Sequence, residues 1–364
     1  MTRVAYLKDL LGLNTPLLIT VIFVPAAILA EAAEADPLYR FLLSAAGVIP
    51  LAGMIGTATE ALAEKTGPRL GGLLNATLGN AAELIIALAA LREGLVSLVL
   101  ASITGSILGN LLLVMGVALL VGGIKNGVQK FDRAHAGVDA TLLILSVIAL
   151  GIPSLFNIAI EPNFASVEGL SIGASIAMLV MYVLALVYSL TTRSHEGDPL
   201  VREAHAPSGW SMRHALIALV IAVGLIVVLS EILVGAVKPV TESLGLSEFF
   251  LGIILVPIVG NVAEHLVAVQ VAVKNKMDLS LSIAVGSSLQ IALFVAPVMV
   301  ILSLVLGNPL KLEFNSYELS AVLAASVITA FVSLDGESNW LEGAMLLVVY
   351  VILALAFFFL PIPV

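Results

Sequence analysis

An amide and a carboxylate are paired twice in this sequence, each time inside an apolar segment. Asn80 precedes Glu83 by three residues, and Asn261 precedes Glu264 by the same interval. Residues three apart lie on one face of a helix, so each pair presents its oxygen atoms together. Carboxylate and amide oxygens are hard ligands that suit Ca²⁺. Because the chain has no cysteine, soft metals lack their preferred thiolate ligand. The pairs therefore indicate a site for a hard cation.

A glycine stands directly before each pair. Gly79 and Gly260 weaken a helix, and Pro257 adds to this effect before the second pair. We therefore expect a local break in each helix that frees backbone carbonyls as additional oxygen ligands. Asn75 lies in one i, i+4 row with Gly79 and Glu83, which widens the polar stripe of the first segment.

The composition places these pairs in a membrane. The chain has 364 residues, of which 60% are hydrophobic and 11% charged, whereas soluble domains have about 25% charged residues. Eleven apolar segments reach a length that crosses a bilayer as helices. The net charge of −9 argues against a nucleic-acid partner. The predicted spans are 14–33, 41–62, 71–91, 95–124, 138–160, 170–190, 215–237, 249–273, 279–305, 320–334 and 344–360.

The basic residues predict the orientation. With a cytoplasmic N-terminus, four of the 16 Lys and Arg residues fall on the outer side (Arg40, Arg92, Lys238 and Lys311), and the other twelve fall inside. This asymmetry follows the positive-inside rule. An odd number of spans then places the C-terminus outside. We predict an integral membrane protein with a cytoplasmic N-terminus.

The two acid motifs belong to a larger repeat, whose offset carries Gly79 onto Gly260 and Glu83 onto Glu264. At this repeat offset, Gly105-Ser106 also matches Gly286-Ser287, and spans 2 to 6 fall on spans 7 to 11. Because each unit has five spans, the second must enter the membrane from the opposite side, an inverted repeat typical of transporters. The predicted fold is an all-α polytopic membrane protein: an extra N-terminal helix over 1–37, repeats over 38–190 and 215–364, and a cytoplasmic linker over 191–214.

Both acids are predicted to lie near the bilayer centre, where an isolated charge costs roughly 2.5–3.5 kcal/mol on insertion scales. One interpretation is that each Glu is protonated and hydrogen-bonds a neighbouring helix to stabilise packing. The matched repetition of Glu83 and Glu264, each with its Asn, favours a second interpretation. Two facing carboxylates in a low-dielectric site cannot both ionise easily. A divalent cation removes this penalty and displaces the protons, so cation and protons compete for the same oxygens.

Other polar residues are weaker candidates. Gln290 could add an amide oxygen or join helices. Ser106 and Ser287 could support the site or mark close helix packing. His265 points about 100° away from Glu264, so it could sense pH or serve packing. Glu60 and Glu64 could form a cation entry path or lie at a solvated helix end. Glu231, deeper in span 7, could line an exit path or pair with a polar neighbour.

The motifs resemble those of the Ca²⁺/H⁺ antiporters, the cation/proton exchanger family. The resemblance extends from about Gly56 to the C-terminus and is most specific in stretches 71–83, 260–265, 277–279 and 286–292. It implies that Glu83 and Glu264 alternately bind Ca²⁺ and protons, that Asn80, Asn261 and Gln290 line the site, and that no cofactor is needed. It also implies a ten-helix core with one extra helix. The linker lacks the strongly acidic segment of eukaryotic members, so it resembles the prokaryotic form, and this resemblance implies the plasma membrane of a prokaryotic cell.

These features predict a secondary antiporter that exports Ca²⁺ in exchange for H⁺ and is not an enzyme. A Na⁺-coupled exchanger of the same fold is one alternative, and a cation channel is another. Channels place acids in a ring at the pore mouth, whereas these acids lie in mid-span. The expected partners are the lipid bilayer, Ca²⁺ and protons, with a homo-oligomer left open.

Overall fold

A computed structural model of the protein describes residues 15–67, 71, 74, 77–159, 164–192 and 210–360. In this part of the chain, eleven helices follow the order of the predicted spans, and a two-residue antiparallel ribbon pairs β1 (Gln129–Lys130) with β2 (Glu337–Ser338). The helices are α1 Thr15–Ala32, α2 Pro37–Thr66, α3 Ala81–Arg92, α4 Val96–Asn126, α5 Arg133–Ala159, α6 Phe164–Thr192, α7 Met212–Leu244, α8 Glu248–Val273, α9 Met277–Leu306, α10 Ser316–Val332 and α11 Trp340–Phe358.

The helical class predicted from the sequence is confirmed. Eight of the described helices are long and apolar enough to cross a membrane, and α3 and α10 are shorter. Helix α3 is short because the chain turns at Gly79 and Asn80, which divides the predicted span 71–91. Most of the predicted linker 191–214 lies outside the described residues.

The repeat offset recurs in the bounds of the helices. Helices α4 and α9 begin at equivalent positions of the repeat, Val96 and Met277, and helices α3 and α8 end at equivalent positions, Arg92 and Val273. Each of the long helices α4 and α9 also contains one π-helical segment, Gly109–Val114 in α4 and Ile291–Val295 in α9. Such segments insert an extra residue into a helical turn and occur often at functional sites. The repeat therefore extends to irregularities of the backbone.

The chain divides into two compact units. The first contains the described residues up to Ala89, Ala204–Leu246 and the short piece Val259–Ala263 of α8. Helix α2 packs against both α1 and α7. The three helices meet at Gly47, where a Cβ atom would come within 2.7 Å of Leu229 and 3.6 Å of Val24. Glycine at this position therefore allows the close approach.

The second unit contains Ala90–Glu203, Ser247–Ile258 and the chain from Glu264 onward. Within it, α4 crosses the π-helical segment Leu251–Leu255 of α8 at very short range. A Cβ at Gly105 would overlap the main chain of Ile253, and one at Gly252 would lie 2.9 Å from Ala101. Helix α4 also packs against α11. These contacts hold α4, which bears Ser106, in a fixed position against the start of α8.

Candidate cation site

The first acid motif lies at the break between two helical pieces. Residues 77 and 78 are helical, Gly79 and Asn80 form a turn, and α3 begins at Ala81. The break that the sequence predicts is therefore present here. Glu83 lies in the first turn of α3 and is half-buried, while Asn80 is 1% exposed. A carboxylate in the first turn is stabilised by the helix dipole and by main-chain N–H groups without helical partners.

The second acid motif differs, and the expected break is wrong there. Helix α8 runs without interruption through Gly260 and Glu264. Its irregular segment lies earlier, as the π-helical turn Leu251–Leu255. Pro257 follows this turn at the start of the regular helix, where a missing N–H costs little. A single glycine lowers the stability of a helix by about 1 kcal/mol relative to alanine without having to break it.

Within the first unit, Glu83 lies close to Gly260 of the second acid motif. A Cβ atom at Gly260 would lie 3.2 Å from Cγ, 3.4 Å from Cδ and 3.5 Å from Oε1 of Glu83. Gly260 is buried, and the carboxyl group of Glu83 lies beside it, next to the place that a side chain would take. Asn261, the next residue, is 1% exposed. The acid of one motif therefore lies beside the glycine of the other.

In the second unit, Glu264 accepts a hydrogen bond from the hydroxyl group of Ser287. Ser287 is buried in α9 and Glu264 is half-buried. The neighbouring His265 has its Nε2 atom 3.1 Å from Oδ1 of Asn110, which lies in the π-helical segment of α4. This contact ties α8 to α4. The two readings of His265 from the sequence, pH sensing and packing, both remain predictions.

The remaining predicted residues are distributed as follows. Ser106 is buried in α4, and Gln290 is half-buried directly before the π-helical segment of α9. Of the three acids predicted for an access path, Glu60 and Glu231 are exposed and Glu64 is half-buried. Asn75 lies outside the described residues.

A buried carboxylate that the sequence analysis did not single out lies in α10. Glu318 is 4% exposed, and its Oε1 accepts a hydrogen bond of 3.1 Å from the hydroxyl of Thr104 in α4. Its Oε2 accepts from the main-chain N–H of Asn315, which in turn caps the helix. The signal was available, because Asn-x-x-Glu before an apolar run is a capping pattern. The predicted span began at residue 320 and excluded it.

A cation at this site would need oxygen ligands of more than one chemical type. Among the described residues, no group of three or more His, Asp or Glu side chains is arranged to hold a metal ion. A cation bound by Glu83 or Glu264 would therefore need amide, hydroxyl or carbonyl oxygens as well. Ca²⁺ accepts six to eight such oxygens in flexible geometry, and the neighbours of the two acids offer these groups.

Acids and amides inside the spans of a helical membrane protein are typical of the ion and substrate pathways of membrane transporters. The sodium/calcium exchanger protein family matches residues 37–191 and 214–359, and the chain belongs to this family.

Relatives match nearly the whole chain. The Ca²⁺/H⁺ antiporter ChaA of Bacillus subtilis is 46% identical over 93% of this chain and 97% of its own length. The Ca²⁺/H⁺ antiporter of Aphanothece halophytica is 43% identical, with 97% and 99% covered. The solved structure of native YfkE is 42% identical, covers 95% of this chain and 100% of its own, and superimposes with a TM-score of 0.84.

Proposed function

We propose that the protein exchanges Ca²⁺ for protons across the membrane and that Glu83 and Glu264 bind these cargoes in turn. The names of the relatives support the pair of cargoes. The observation that carries the assignment of residues is the contact of Glu83 with Gly260. Gly260 lies four residues before Glu264 on the continuous helix α8, which is about one helical turn.

The chemistry of exchange follows from competition for oxygen atoms. A carboxyl group that holds a proton cannot offer both oxygens to a cation, and a bound divalent cation disfavours protonation. We assign Asn80, Asn261 and Gln290 as uncharged oxygen ligands that stay available in both states. Ser287 orients Glu264 through its hydrogen bond. Release of Ca²⁺ would then accompany uptake of protons by the two acids, and the reverse.

We further propose that the direction is Ca²⁺ export by alternating access, from a prokaryotic cytoplasm across the plasma membrane. The distribution of the 16 basic residues supports a cytoplasmic N-terminus. Because the chain has no cysteine, single cysteines can report the topology. In intact cells, an impermeant thiol reagent should label Ala33→Cys and leave Lys274→Cys unlabelled; both positions are exposed. The opposite pattern would reverse the orientation.

Transport is tested with purified protein in vesicles that carry an imposed pH gradient and an internal Ca²⁺ indicator. Ca²⁺ uptake should follow the gradient, and Glu83→Gln or Glu264→Gln should abolish it. Glu248→Gln is the matched control, because Glu248 begins the same helix as Glu264 and should keep full activity. Full activity in either Glu83→Gln or Glu264→Gln would reject the assignment.

The same vesicles separate the alternatives. Uptake that needs a Na⁺ gradient and ignores pH would identify a Na⁺-coupled exchanger. Electrical currents far above carrier turnover would identify a channel. A pH-sensitive dye recorded together with the Ca²⁺ indicator gives the number of protons moved for each Ca²⁺.

A further inference from the structure

The helices that bear Glu83 and Glu264 end in matching turns. After each helix, the backbone passes through one residue in the left-handed region. These residues are Gly94 with φ 72° and Asn275 with φ 61°, at equivalent positions of the repeat. Both turns have the hydrogen bonds of a Schellman motif, which satisfies helix-end carbonyls. The bonds are Gly94 N–H to Leu91 C=O, Leu95 N–H to Ala90 C=O, Asn275 N–H to Ala272 C=O and Lys276 N–H to Val271 C=O.

The final carbonyls of each helix also accept hydrogen bonds from an asparagine that belongs to the other repeat. At the end of α3, Nδ2 of Asn308 lies 2.9 Å from the carbonyl oxygen of Leu91 and 3.5 Å from that of Arg92. The end of α8 has the same arrangement at the equivalent carbonyls. There, Nδ2 of Asn126 donates to Ala272 at 3.2 Å and to Val273 at 3.3 Å. All six residues belong to the second unit.

The two asparagines are not equivalent positions of the repeat. At the repeat offset, Asn126 corresponds to Gly307 and Asn308 corresponds to Gly127. The order is Asn-Gly after α4 and Gly-Asn after α9, and each glycine has left-handed backbone, with φ 77° and 78°. Two different positions thus bring an amide to the same pair of carbonyls. Simple duplication of one sequence does not account for this match.

We propose that Asn126 and Asn308 are positioning residues for ion exchange, an inference that rests on the proposed function. Each fixes the C-terminal end of a helix whose acid binds the cargo. Glu83 precedes Leu91 by eight residues, and Glu264 precedes Ala272 by eight, which is about 12 Å along the axis. Binding sites tolerate displacements of only about 0.5 Å, so a tilt of about 2–3° at the capped end would disturb an acid.

The two ends differ in one respect. The carbonyl of Ala272 also accepts a hydrogen bond of 2.9 Å from Nε2 of Gln129, which is 1% exposed and also donates to Oδ1 of Asn275. The residue equivalent to Gln129 is the apolar Leu310. Among the described residues, Asn126 and Gln129 both donate at the end of α8, whereas Asn308 donates at the end of α3. Loss of Asn308 should consequently have the larger effect.

The test measures the dependence of uptake on external Ca²⁺ in pH-driven vesicles. We expect Asn308→Ala to raise the Ca²⁺ concentration for half-maximal uptake about three- to tenfold. Asn126→Ala alone should raise it less, because Gln129 still donates to Ala272. The double variant Asn126→Ala with Gln129→Met should raise the Ca²⁺ concentration for half-maximal uptake as much as Asn308→Ala does. Asn308→Ser keeps a shorter donor and should have an intermediate value, and it serves if Asn308→Ala does not fold.

Ser154→Ala is the control for a purely structural hydrogen bond. Ser154 donates to Leu312 C=O at 2.9 Å and accepts from Phe314 N–H at 2.8 Å, and these three residues belong to neither acid-bearing helix. The Ser154→Ala variant should lower the maximal rate of uptake, through loss of folded protein. It should leave the Ca²⁺ concentration for half-maximal uptake unchanged. If Asn308→Ala and Asn308→Ser behave in this way too, the positioning role is rejected.

Hydrogen exchange separates this proposal from the proposed function. Asn308→Ala or Asn308→Ser should speed exchange over residues 87–95 only, and the double variant should speed it over 268–276 only. Unchanged exchange at both ends would reject the caps and leave the function standing. A wild-type protein that moves no Ca²⁺ would reject the proposed function, even where exchange confirms the caps.

Discussion

The carboxyl group of Glu83 lies against the main chain of Gly260, in a space that any other side chain would fill. The Cβ atom of an alanine at this position would lie 3.2 Å from Cγ of Glu83 and 3.5 Å from its Oε1. The glycine of the second motif therefore accommodates the acid of the first. This relationship gives the glycine a role other than breaking α8, which is continuous there.

Gly260→Ala should weaken Ca²⁺ transport, because the added methyl group must displace the carboxyl group of Glu83 by a few tenths of an ångström. We expect the Ca²⁺ concentration for half-maximal uptake to rise several-fold. Gly224→Ala is the matched control, since a Cβ there has no atom within 4 Å. That change should raise stability by about 0.5–1 kcal/mol, through the better helix propensity of alanine, and leave uptake intact. Equal Ca²⁺ concentrations for half-maximal uptake in the two variants would contradict the displacement of the Glu83 carboxyl group.

Ser287→Ala removes the hydroxyl that donates to Glu264. A hydrogen bond to a charged group contributes about 1.5–3 kcal/mol, so half-saturation for Ca²⁺ should rise about tenfold or more. Ser287→Thr keeps the hydroxyl and should restore much of the affinity. Ser288→Ala is the control, because the neighbouring hydroxyl donates to Ala284 of its own helix. If both alanine variants transport like the wild type, Ser287 does not orient the acid.

Gly105→Ala should prevent folding, because its Cβ would overlap the main chain of Ile253. Main-chain atoms cannot move aside as a flexible side chain can, so α4 and α8 would have to separate. Gly109→Ala, one turn later on α4, meets no atom within 4 Å and should yield a normal amount of folded protein. Size-exclusion profiles in detergent distinguish the two outcomes. A monodisperse Gly105→Ala protein with wild-type melting temperature would refute the close approach.

Thr104→Val leaves one oxygen of the buried Glu318 without its hydroxyl donor. A buried acceptor that loses its partner costs about 1–3 kcal/mol, so the melting temperature in detergent should fall. The cap at Asn315 does not involve Thr104, and transport at saturating Ca²⁺ should persist in the folded fraction. Ser102→Ala is the control on the same helix, because that hydroxyl donates only to Val99 of α4. Equal melting temperatures for the two variants would show that the Thr104 bond is dispensable.

The sequence allowed the helices and the acid motifs to be predicted, because their signals are local. Apolar length located every helix of the described chain, and the Gly79-Asn80 turn follows from glycine preference. The equivalent prediction at Gly260 failed because packing against Glu83, a contact distant in sequence, accounts for that glycine. Local propensity cannot distinguish a glycine that breaks a helix from one that admits a neighbour.

Other features depend on contacts that no local pattern contains. The π-helical segments leave the hydrophobic run of α4 and α9 unchanged, so composition does not reveal them. Asn126 and Asn308 read as ordinary polar residues at helix ends until the fold places them beside distant carbonyls. Glu318 was excluded because the predicted span began at residue 320, four residues after α10 begins at Ser316; its capping pattern would have extended the helix.

The asparagine caps at α3 and α8 donate to main-chain carbonyl oxygens. These hydrogen bonds therefore do not depend on the side chains of the residues that accept them. The capped residues are Leu91 and Arg92 in α3 and Ala272 and Val273 in α8, and an asparagine amide donates to the carbonyl oxygens of both pairs. Mutation can thus alter every capped residue without cost to this contact, provided that each donor asparagine is kept. The different side chains at these two helix ends are therefore compatible with the same main-chain contact.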